Sequence, residues 1–290
     1  MAGRRGLTIV FWLLAITLGV YDWVRFDQAN LGAPGFSVDK FRAGRWPGGR
    51  RLQTHGVSLY YRTFGAGPPV LVLHGGLGYL ETMHAQTADL ARDHLVIAPD
   101  SRGQGRSSDG AGPLRYADMA DDMVALLDRL HVLRADVVGW SDGGIIGLDM
   151  AMRYPDRVRR VVAIGANSDP TGLSVMPSAA DAGGAAAPAA PASYRRLSPD
   201  PAHWPVFYNR LIEMWRTQPH YSAADLARIR APVLIMAGDH DVIRREHTDA
   251  LARAIPGARE VILPGVGHDG PMTAPGPVNA AVRRFLTGTS

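Results

Sequence analysis

The sequence predicts an α/β fold in which a mostly parallel central sheet is flanked by helices and carries a small helical cap insertion. Short apolar runs alternate with amphipathic helical segments from residue 70 to residue 165, and the alternation resumes after residue 231. The apolar runs are continuous, as expected for parallel strands that are covered on both faces. Loops rich in glycine or polar residues follow several of these runs, and the ligands of such sheets bind at the carboxyl ends of the strands.

The composition excludes several classes of protein. The 290 residues are 46% hydrophobic and 20% charged, which suits one large domain with an extensive core. The net charge is +4, but the basic residues are scattered and form no stripe with interleaved aromatics, so no nucleic-acid partner is expected. The absence of cysteine excludes disulfides, thiolate metal sites and a cysteine nucleophile.

The N-terminal segment predicts membrane anchoring. Two arginines precede an almost wholly apolar run from Gly6 to Tyr21, near the lower limit for a membrane span. No Ala-x-Ala cleavage site follows, so we predict an uncleaved signal-anchor over residues 1–24 with the rest of the chain exported. A cleaved secretory signal and a buried helix of a cytosolic protein are the alternatives. Residues 25–50, rich in Gly, Pro and Arg, are predicted to be a linker.

The first half of the predicted core, residues 51–165, begins with a hairpin and continues with alternating strands and helices. Residues 51–54 and 57–64 form the hairpin around His55-Gly56. The later elements are strands at 70–73, 95–98, 135–138 and 158–165 and helices at 82–92, 116–130 and 144–154.

Two loops after these strands have compositions that indicate chemistry. His74-Gly75-Gly76-Leu77-Gly78 follows one strand, and its glycines leave backbone N–H groups free to face a ligand. Gly139-Trp140-Ser141-Asp142-Gly143 lies between a strand and a helix, the pattern of a nucleophile elbow. We expect a strained backbone at Ser141, and we expect that side chains at Gly139 or Gly143 would collide with the neighbouring strands and helix. An ordinary strand-to-helix turn is the alternative.

An insertion interrupts the alternation between residues 166 and 228. Residues 177–193 are nearly all Ala, Gly, Pro and Ser, which predicts a mobile loop. Residues 201–218 then carry apolar and aromatic side chains at helical spacing, which predicts a helix that covers part of a pocket. A surface helix pair packed on the core is the alternative.

The rest of the core, residues 229–288, contains two more strands, at 232–237 and 259–263, and helices at 245–255 and 277–286. Gly238-Asp239-His240-Asp241 follows the first strand, and Gly267-His268 follows the second. A serine hydroxyl needs an imidazole to take its proton and a carboxylate to orient that imidazole. The chain therefore offers all three groups at the carboxyl ends of predicted parallel strands.

At this point the sequence resembles the α/β-hydrolase fold family over about residues 51–286, in which the triad occurs in the order Ser, Asp, His. The motifs that carry the resemblance are His74-Gly75-Gly76, Asp100-x-Arg102-Gly103-x-Gly105-x-Ser107, the elbow, Gly238-x-x-Asp241 and Gly267-His268.

The resemblance implies a role for each residue of the site. Ser141 matches the nucleophile, Asp241 the acid and His268 the base. Asp239 is the rival acid, but the family's acid usually follows the strand-ending glycine by three residues, as Asp241 does. The expected oxyanion donors are the backbone N–H groups of Gly76, Leu77 and Asp142. The carboxylate of Asp142 either caps the following helix or faces the pocket, and no cofactor or metal is expected.

The predicted function is that of a serine hydrolase. We expect an enzyme that cleaves a small or medium carboxylic ester or lactone through an acyl-enzyme on Ser141. An acyltransferase or a carbon–carbon bond hydrolase would use the same triad, and a non-catalytic ligand-binding relative is the alternative outside catalysis.

Overall fold

A single eight-stranded sheet forms the centre of the computed structural model, which describes residues 48–175 and 187–288. Its strand order is β1-β2-β4-β3-β5-β6-β7-β8. The strands are β1 (Arg50–Thr54), β2 (Val57–Phe64), β3 (Pro69–Leu73), β4 (Leu95–Pro99), β5 (Ala135–Trp140), β6 (Val158–Ile164), β7 (Val233–His240) and β8 (Arg259–Gly267). β1 pairs antiparallel with β2 and β2 pairs antiparallel with β4, whereas all later pairs are parallel. The predicted mostly parallel sheet is confirmed.

The predicted hairpin is also confirmed, and its turn explains its register. His55 and Gly56 have φ angles of 44° and 75°, so both occupy the left-handed region. Two central residues with positive φ match the right-handed twist of the flanking strands. Thr54 therefore pairs directly with Val57.

Nine helices flank the sheet in the described ranges. They are α1 (His84–Leu90), α2 (Tyr116–Arg129), α3 (Asp142–Arg153), α4 (Ala192–Leu197), α5 (Trp204–Thr217), α6 (Ala223–Leu226), α7 (Arg245–Ala254), α8 (Gly270–Thr273) and α9 (Pro275–Thr287). The helix predicted over 82–92 begins instead as a 3₁₀ turn at Leu80–Met83 and ends at Leu90.

Successive residues of the central strands enter two different cores. Leu71, Val137 and Val161 pack with α2, α3 and α5 on one face of the sheet. Their neighbours Val70 and Val138 pack with α1 and α9 on the other face. Burying one such side chain contributes about 1.5–3 kcal/mol. Because both faces of the sheet are covered, apolar residues are favoured at successive positions, and this explains the continuous apolar runs.

Several sequence predictions fall on parts of the chain that the structure does not describe. The predicted signal-anchor over residues 1–24, almost all of the linker over 25–50 and most of the loop over 177–193 lie outside the described residues. At the edges of these segments, Arg50 already belongs to β1 and Ala192 begins α4. None of the helices in residues 48–175 and 187–288 is both long enough and apolar enough to cross a membrane.

The turn between β5 and α3 has the predicted strained geometry. Ser141 has φ 53° and ψ −118°, and its backbone N–H donates to the carbonyl of Ile164 at 2.7 Å. A Cβ atom at Gly139 would lie 2.1 Å from the carbonyl oxygen of Gly143. A Cβ atom at Gly143 would lie 2.4 Å from the carbonyl oxygen of Leu73. Only a hydrogen atom fits at either position, so the first turn of α3 packs directly against the backbone of β5 and β3.

We predict that Gly139→Ala lowers the free energy of unfolding by about 2 kcal/mol or more, because the new methyl group meets backbone atoms that cannot rotate away. Thermal and urea unfolding followed by circular dichroism would measure the change. Gly276→Ala is the matched control: no atom outside the local chain lies within 4 Å of its Cβ, and the residue is in α9. The control should be unchanged or more stable, since alanine favours helix. Equal stability of both variants would contradict the prediction.

Candidate active site

The structure brings Ser141, His268 and Asp241 together at the carboxyl edge of the sheet. Ser141 follows β5, His268 follows β8, and Asp241 follows β7. The Nε2 atom of His268 lies 3.0 Å from the Ser141 Oγ, and its Nδ1 atom lies 2.7 Å from the Asp241 Oδ1. The three side chains thus form one continuous hydrogen-bonded chain from carboxylate to hydroxyl.

A glycine at the end of β6 makes room for this arrangement. β6 lies between β5 and β7, so its end faces the space between the serine and the acid. Gly165 has a φ of +59°, and a Cβ atom there would lie 2.9 Å from His268 Nδ1 and 3.1 Å from Asp241 Oδ2. A larger residue would therefore displace the imidazole from its partner carboxylate.

The charges of His268 and Asp241 stabilise each other. Burial alone would lower the pKa of His268, but the Asp241 carboxylate outweighs it and raises that pKa above 6.5. Burial would raise the pKa of Asp241, but the charge and hydrogen bond of His268 lower it below its ordinary value. The Asp241 Oδ1 also accepts the Ile243 backbone N–H at 2.9 Å. Because Nδ1 donates to an ionised Asp241, the neutral imidazole presents its Nε2 lone pair to Ser141.

Asp239, the rival acid, makes a different contact. Its Oδ1 accepts the backbone N–H of Gly265 at 2.8 Å, and its side chain is 41% exposed. The Asp241 side chain is 2% exposed. Asp239 therefore ties the end of β7 to β8, whereas Asp241 contacts the imidazole.

Trp140 supports the histidine, a contact that sequence reasoning missed. The Trp140 indole N–H donates to the backbone carbonyl of His268 at 2.7 Å, and the two rings lie 5.8 Å apart. The tryptophan is part of the elbow motif, but its partner is 128 residues away in the chain. No local pattern could have revealed this pairing.

His74 fixes the glycine-rich loop that follows β3. Burial lowers the pKa of His74 to about 4, so its ring is neutral. The Nε2 atom accepts the Ser101 backbone N–H at 3.0 Å, which leaves the proton on Nδ1 for donation to the Gly75 carbonyl at 2.7 Å. Both ring nitrogens are therefore used within the protein, and His74 holds the loop in place.

The loop lies against the serine, and several of its N–H groups point to no protein acceptor. A Cβ atom at Gly75 would lie 3.2 Å from the Ser141 Cβ. Leu77 has a φ of 59°, the left-handed conformation that few non-glycine residues adopt. In the part of the chain that the structure describes, the backbone N–H groups of Gly76, Leu77 and Asp142 donate to no protein acceptor. These groups are available to a ligand beside Ser141.

The Asp142 carboxylate links the elbow to the inserted helix α5. It accepts the Tyr116 hydroxyl at 2.8 Å and the Trp215 indole N–H at 3.0 Å. Burial raises the pKa of Asp142 to about 6, although both hydrogen bonds oppose the rise. Among the described residues, the hydrogen bonds of this carboxylate go to these two side chains and not to a backbone N–H group of α3.

Helix α5 covers the glycine-rich loop at one end and packs on the core at the other. A Cβ atom at Gly76 would lie 2.3 Å from the Trp215 ring, so the indole sits directly on the loop. His203, directly before the helix, and Arg210, in its middle, contact Asp109 at 3.0 and 2.7 Å. Contacts along its length therefore hold the inserted helix on the loops that follow β3 and β4.

Comparison with known proteins agrees with this architecture. The family model of the alpha/beta hydrolase fold matches residues 68–197. A protein of Pseudomonas savastanoi, provisionally named the carbamate hydrolase RutD, is 33% identical over an alignment of 245 residues, gaps included, that covers 76% of this chain and 95% of that protein. The 3-oxoadipate enol-lactonase 2 of Acinetobacter baylyi is 37% identical over 113 residues, 38% of this chain and 42% of the lactonase.

A solved structure extends the similarity to the whole fold. The structure of Est816, described as an N-acyl homoserine lactone degrading enzyme, has a TM-score of 0.67 and 28% sequence identity. The match covers 81% of this chain and 100% of that structure. Because the sheet order, the elbow and a relative matched over nearly its full length all agree, the chain belongs to the α/β-hydrolase fold family.

Proposed function

We propose that the protein is a serine hydrolase that cleaves a small or medium carboxylic ester or lactone through an acyl-enzyme on Ser141. The observation that carries the proposal is the 3.0 Å contact of Ser141 Oγ with His268 Nε2, while Nδ1 of the same ring contacts Asp241. The names of the relatives, an enol-lactonase and an N-acyl homoserine lactone degrading enzyme, support a hydrolase that acts on ester bonds.

In the first half of the reaction, Ser141 Oγ attacks the carbonyl carbon of the ester while His268 Nε2 takes the hydroxyl proton. The Asp241 carboxylate stabilises the imidazolium that forms. The carbonyl oxygen becomes an oxyanion, which the free N–H groups of Asp142 and of Gly76 or Leu77 stabilise. The N-terminus of α3 lies directly behind the serine, and its dipole favours the same negative charge.

In the second half, His268 returns the proton to the leaving alcohol as the ester carbon–oxygen bond breaks, and the acyl group stays on Ser141. A water molecule then attacks the acyl carbon and gives a proton to His268. Collapse of the second intermediate breaks the bond to Ser141 Oγ, which regains that proton. The products are one carboxylic acid and one alcohol, or one hydroxy acid from a lactone.

We also propose that residues 166–228 act as a cap over the site. Trp215 supports this role because it lies on Gly76 and donates to Asp142. A capped site limits water and favours substrates that fit beneath α5. The acyltransferase alternative differs only in the group that attacks the acyl-enzyme, so product analysis with an added alcohol separates transfer from hydrolysis.

A panel of p-nitrophenyl esters of increasing acyl length, together with small lactones, tests the proposal. We predict that Ser141→Ala lowers kcat/KM at least about 10⁴-fold for every substrate that the native protein hydrolyses, because no other group can carry the acyl intermediate. Circular dichroism should show an unchanged fold. Residual hydrolysis near the native rate would contradict the assignment of Ser141.

The two aspartates give a matched pair of variants. Asp241→Asn should lower kcat about 10⁴-fold, because an amide can neither hold the required tautomer nor stabilise the imidazolium. Asp239→Asn should change kcat less than about 3-fold, since its carboxylate contacts only the β7–β8 connection. Steady-state kinetics on the best ester decides between them, and the opposite ranking would transfer the acid role to Asp239.

The pKa of His268 predicts the acid side of the pH profile. Catalysis needs the neutral imidazole, so kcat/KM should fall as the pH decreases through a pKa above 6.5.

Removing the negative charge in Asp241→Asn destabilises the imidazolium and should lower the pKa of His268, as measured by NMR titration of its ring protons. Asp239→Asn is the control and should leave the titration unchanged; an equal shift in both variants would be inconsistent with the direct contact.

A further inference from the structure

The loop between β4 and α2 contains a buried glutamine whose amide has no partner among the described residues. Gln104 is 2% exposed, and neither its Oε1 nor its Nε2 has a hydrogen-bond partner. Two other polar side chains of the loop are satisfied: Asp100 accepts the Leu80 N–H at 2.7 Å, and Ser107 donates to the Asp100 carbonyl at 2.6 Å. Within the described part of the chain, the Ser101 hydroxyl is also buried without a partner, but Gln104 is the residue with both a donor and an acceptor unpaired that lines a cavity. Burying an amide without partners is unfavourable, so this one is suited to bind a polar group.

Gln104 lines a small cavity whose other walls are mainly apolar. Aromatic side chains of the insertion form one side, where the Tyr194 ring lies 4.8 Å from Trp204 and 5.6 Å from Phe207. Leu77 and the residues that follow it form the other side. The cavity has a volume of about 10 Å³, which is about the space that one water molecule or one oxygen atom needs. No Asp, Glu, Lys, Arg or His side chain lines it within the described residues.

The order of the strands places this cavity on the acyl side of the proposed site. His268 protonates the leaving alcohol, and it follows β8, beyond β6 and β7 from the serine. The cavity lies in the opposite direction, over the ends of β3 and β4. Leu77 belongs to both the proposed oxyanion loop and the cavity wall. An ester carbonyl held at that loop with its alcohol toward His268 therefore directs its acyl chain toward Gln104.

We propose that Gln104 is a specificity-determining residue that hydrogen-bonds an uncharged oxygen atom, of a keto, ether or hydroxyl group, on the acyl part of the substrate. The inference rests on the proposed hydrolase function. An amide both donates and accepts, so it suits such an oxygen. A carboxylate in the same place would be buried without a counter-charge, so the site rejects charged acyl groups.

Paired substrates isolate this contact. Each pair consists of p-nitrophenyl esters of equal acyl length with and without an oxygen: methoxyacetate with butyrate, 4-oxopentanoate with pentanoate, and 5-oxohexanoate with hexanoate. Within each pair, kcat/KM for the ester with the oxygen is divided by kcat/KM for the ester without it. This ratio is measured for the native protein, Gln104→Met and Gln86→Met. Gln86, in α1, is the matched control: it is also buried, but its Nε2 donates to the Pro271 carbonyl and to Asn279 Oδ1, and only its Oε1 has no partner among the residues that the structure describes.

For at least one pair we expect the native ratio to exceed that of Gln104→Met about 10-fold or more, with Gln86→Met equal to the native protein. The native ratio should also exceed the ratio of the rate constants for hydroxide-catalysed hydrolysis of the same two esters. This comparison does not need the variant, so it tests the proposal even where Gln104→Met does not fold. Native ratios equal to the hydroxide ratios in all three pairs overturn the proposal. Equal slowing of both members of each pair by Gln104→Met also overturns it, since that result shows only a structural role.

The outcome separates this inference from the proposed function. Ester turnover that depends on Ser141 but shows unchanged ratios refutes the role of Gln104 alone. Absence of any turnover that depends on Ser141 refutes the hydrolase function, and the role of Gln104 with it.

Discussion

The close approach of α3 to β3 and β5 is the contact on which the rest of the site depends. Backbone atoms of Gly139 and Gly143 meet where any side chain would come within 2.1–2.4 Å of a carbonyl group. This contact holds Ser141 at a φ of 53° and sets the start of α3 behind it. The strain is local, but it holds the hydroxyl at the edge of the sheet, where His268 from the end of β8 contacts it.

The order of the strands places different functional groups on the two sides of Ser141. β7 and β8 end in Asp241 and His268, which contact each other at 2.7 Å and which the proposal assigns to proton transfer. β3 and β4 end in the glycine-rich loop and in the loop of Gln104, which the proposal assigns to the carbonyl oxygen and the acyl group. The inserted helix α5 lies on the side of these two loops, where the Trp215 indole bonds Asp142, the residue after Ser141. Sheet order alone thus separates the leaving group from the acyl group in the proposed reaction.

Local patterns were sufficient to predict the sheet, the elbow and the three residues that meet in the site, because each depends on a strand and the loop directly after it. The apolar runs of β3 and β5 and the glycines around Ser141 are examples. The side-chain contacts between distant parts of the chain could not be predicted from these patterns. Asp142 bonds Trp215 across 73 positions and Trp140 bonds the carbonyl of His268 across 128, and neither partner is marked by spacing or composition. Such contacts depend on how the insertion packs, which no periodicity in one segment records.

The central claim is that Ser141 carries the acyl group during turnover. The most direct measurement is an acid quench of the full-length protein during hydrolysis of p-nitrophenyl butyrate, followed by mass spectrometry of its peptides. We predict a butyryl group on the peptide that contains Ser141, formed at the rate of the p-nitrophenol burst and absent from the Ser141→Ala variant. Rapid hydrolysis with a burst but with the acyl group on another residue would contradict the account.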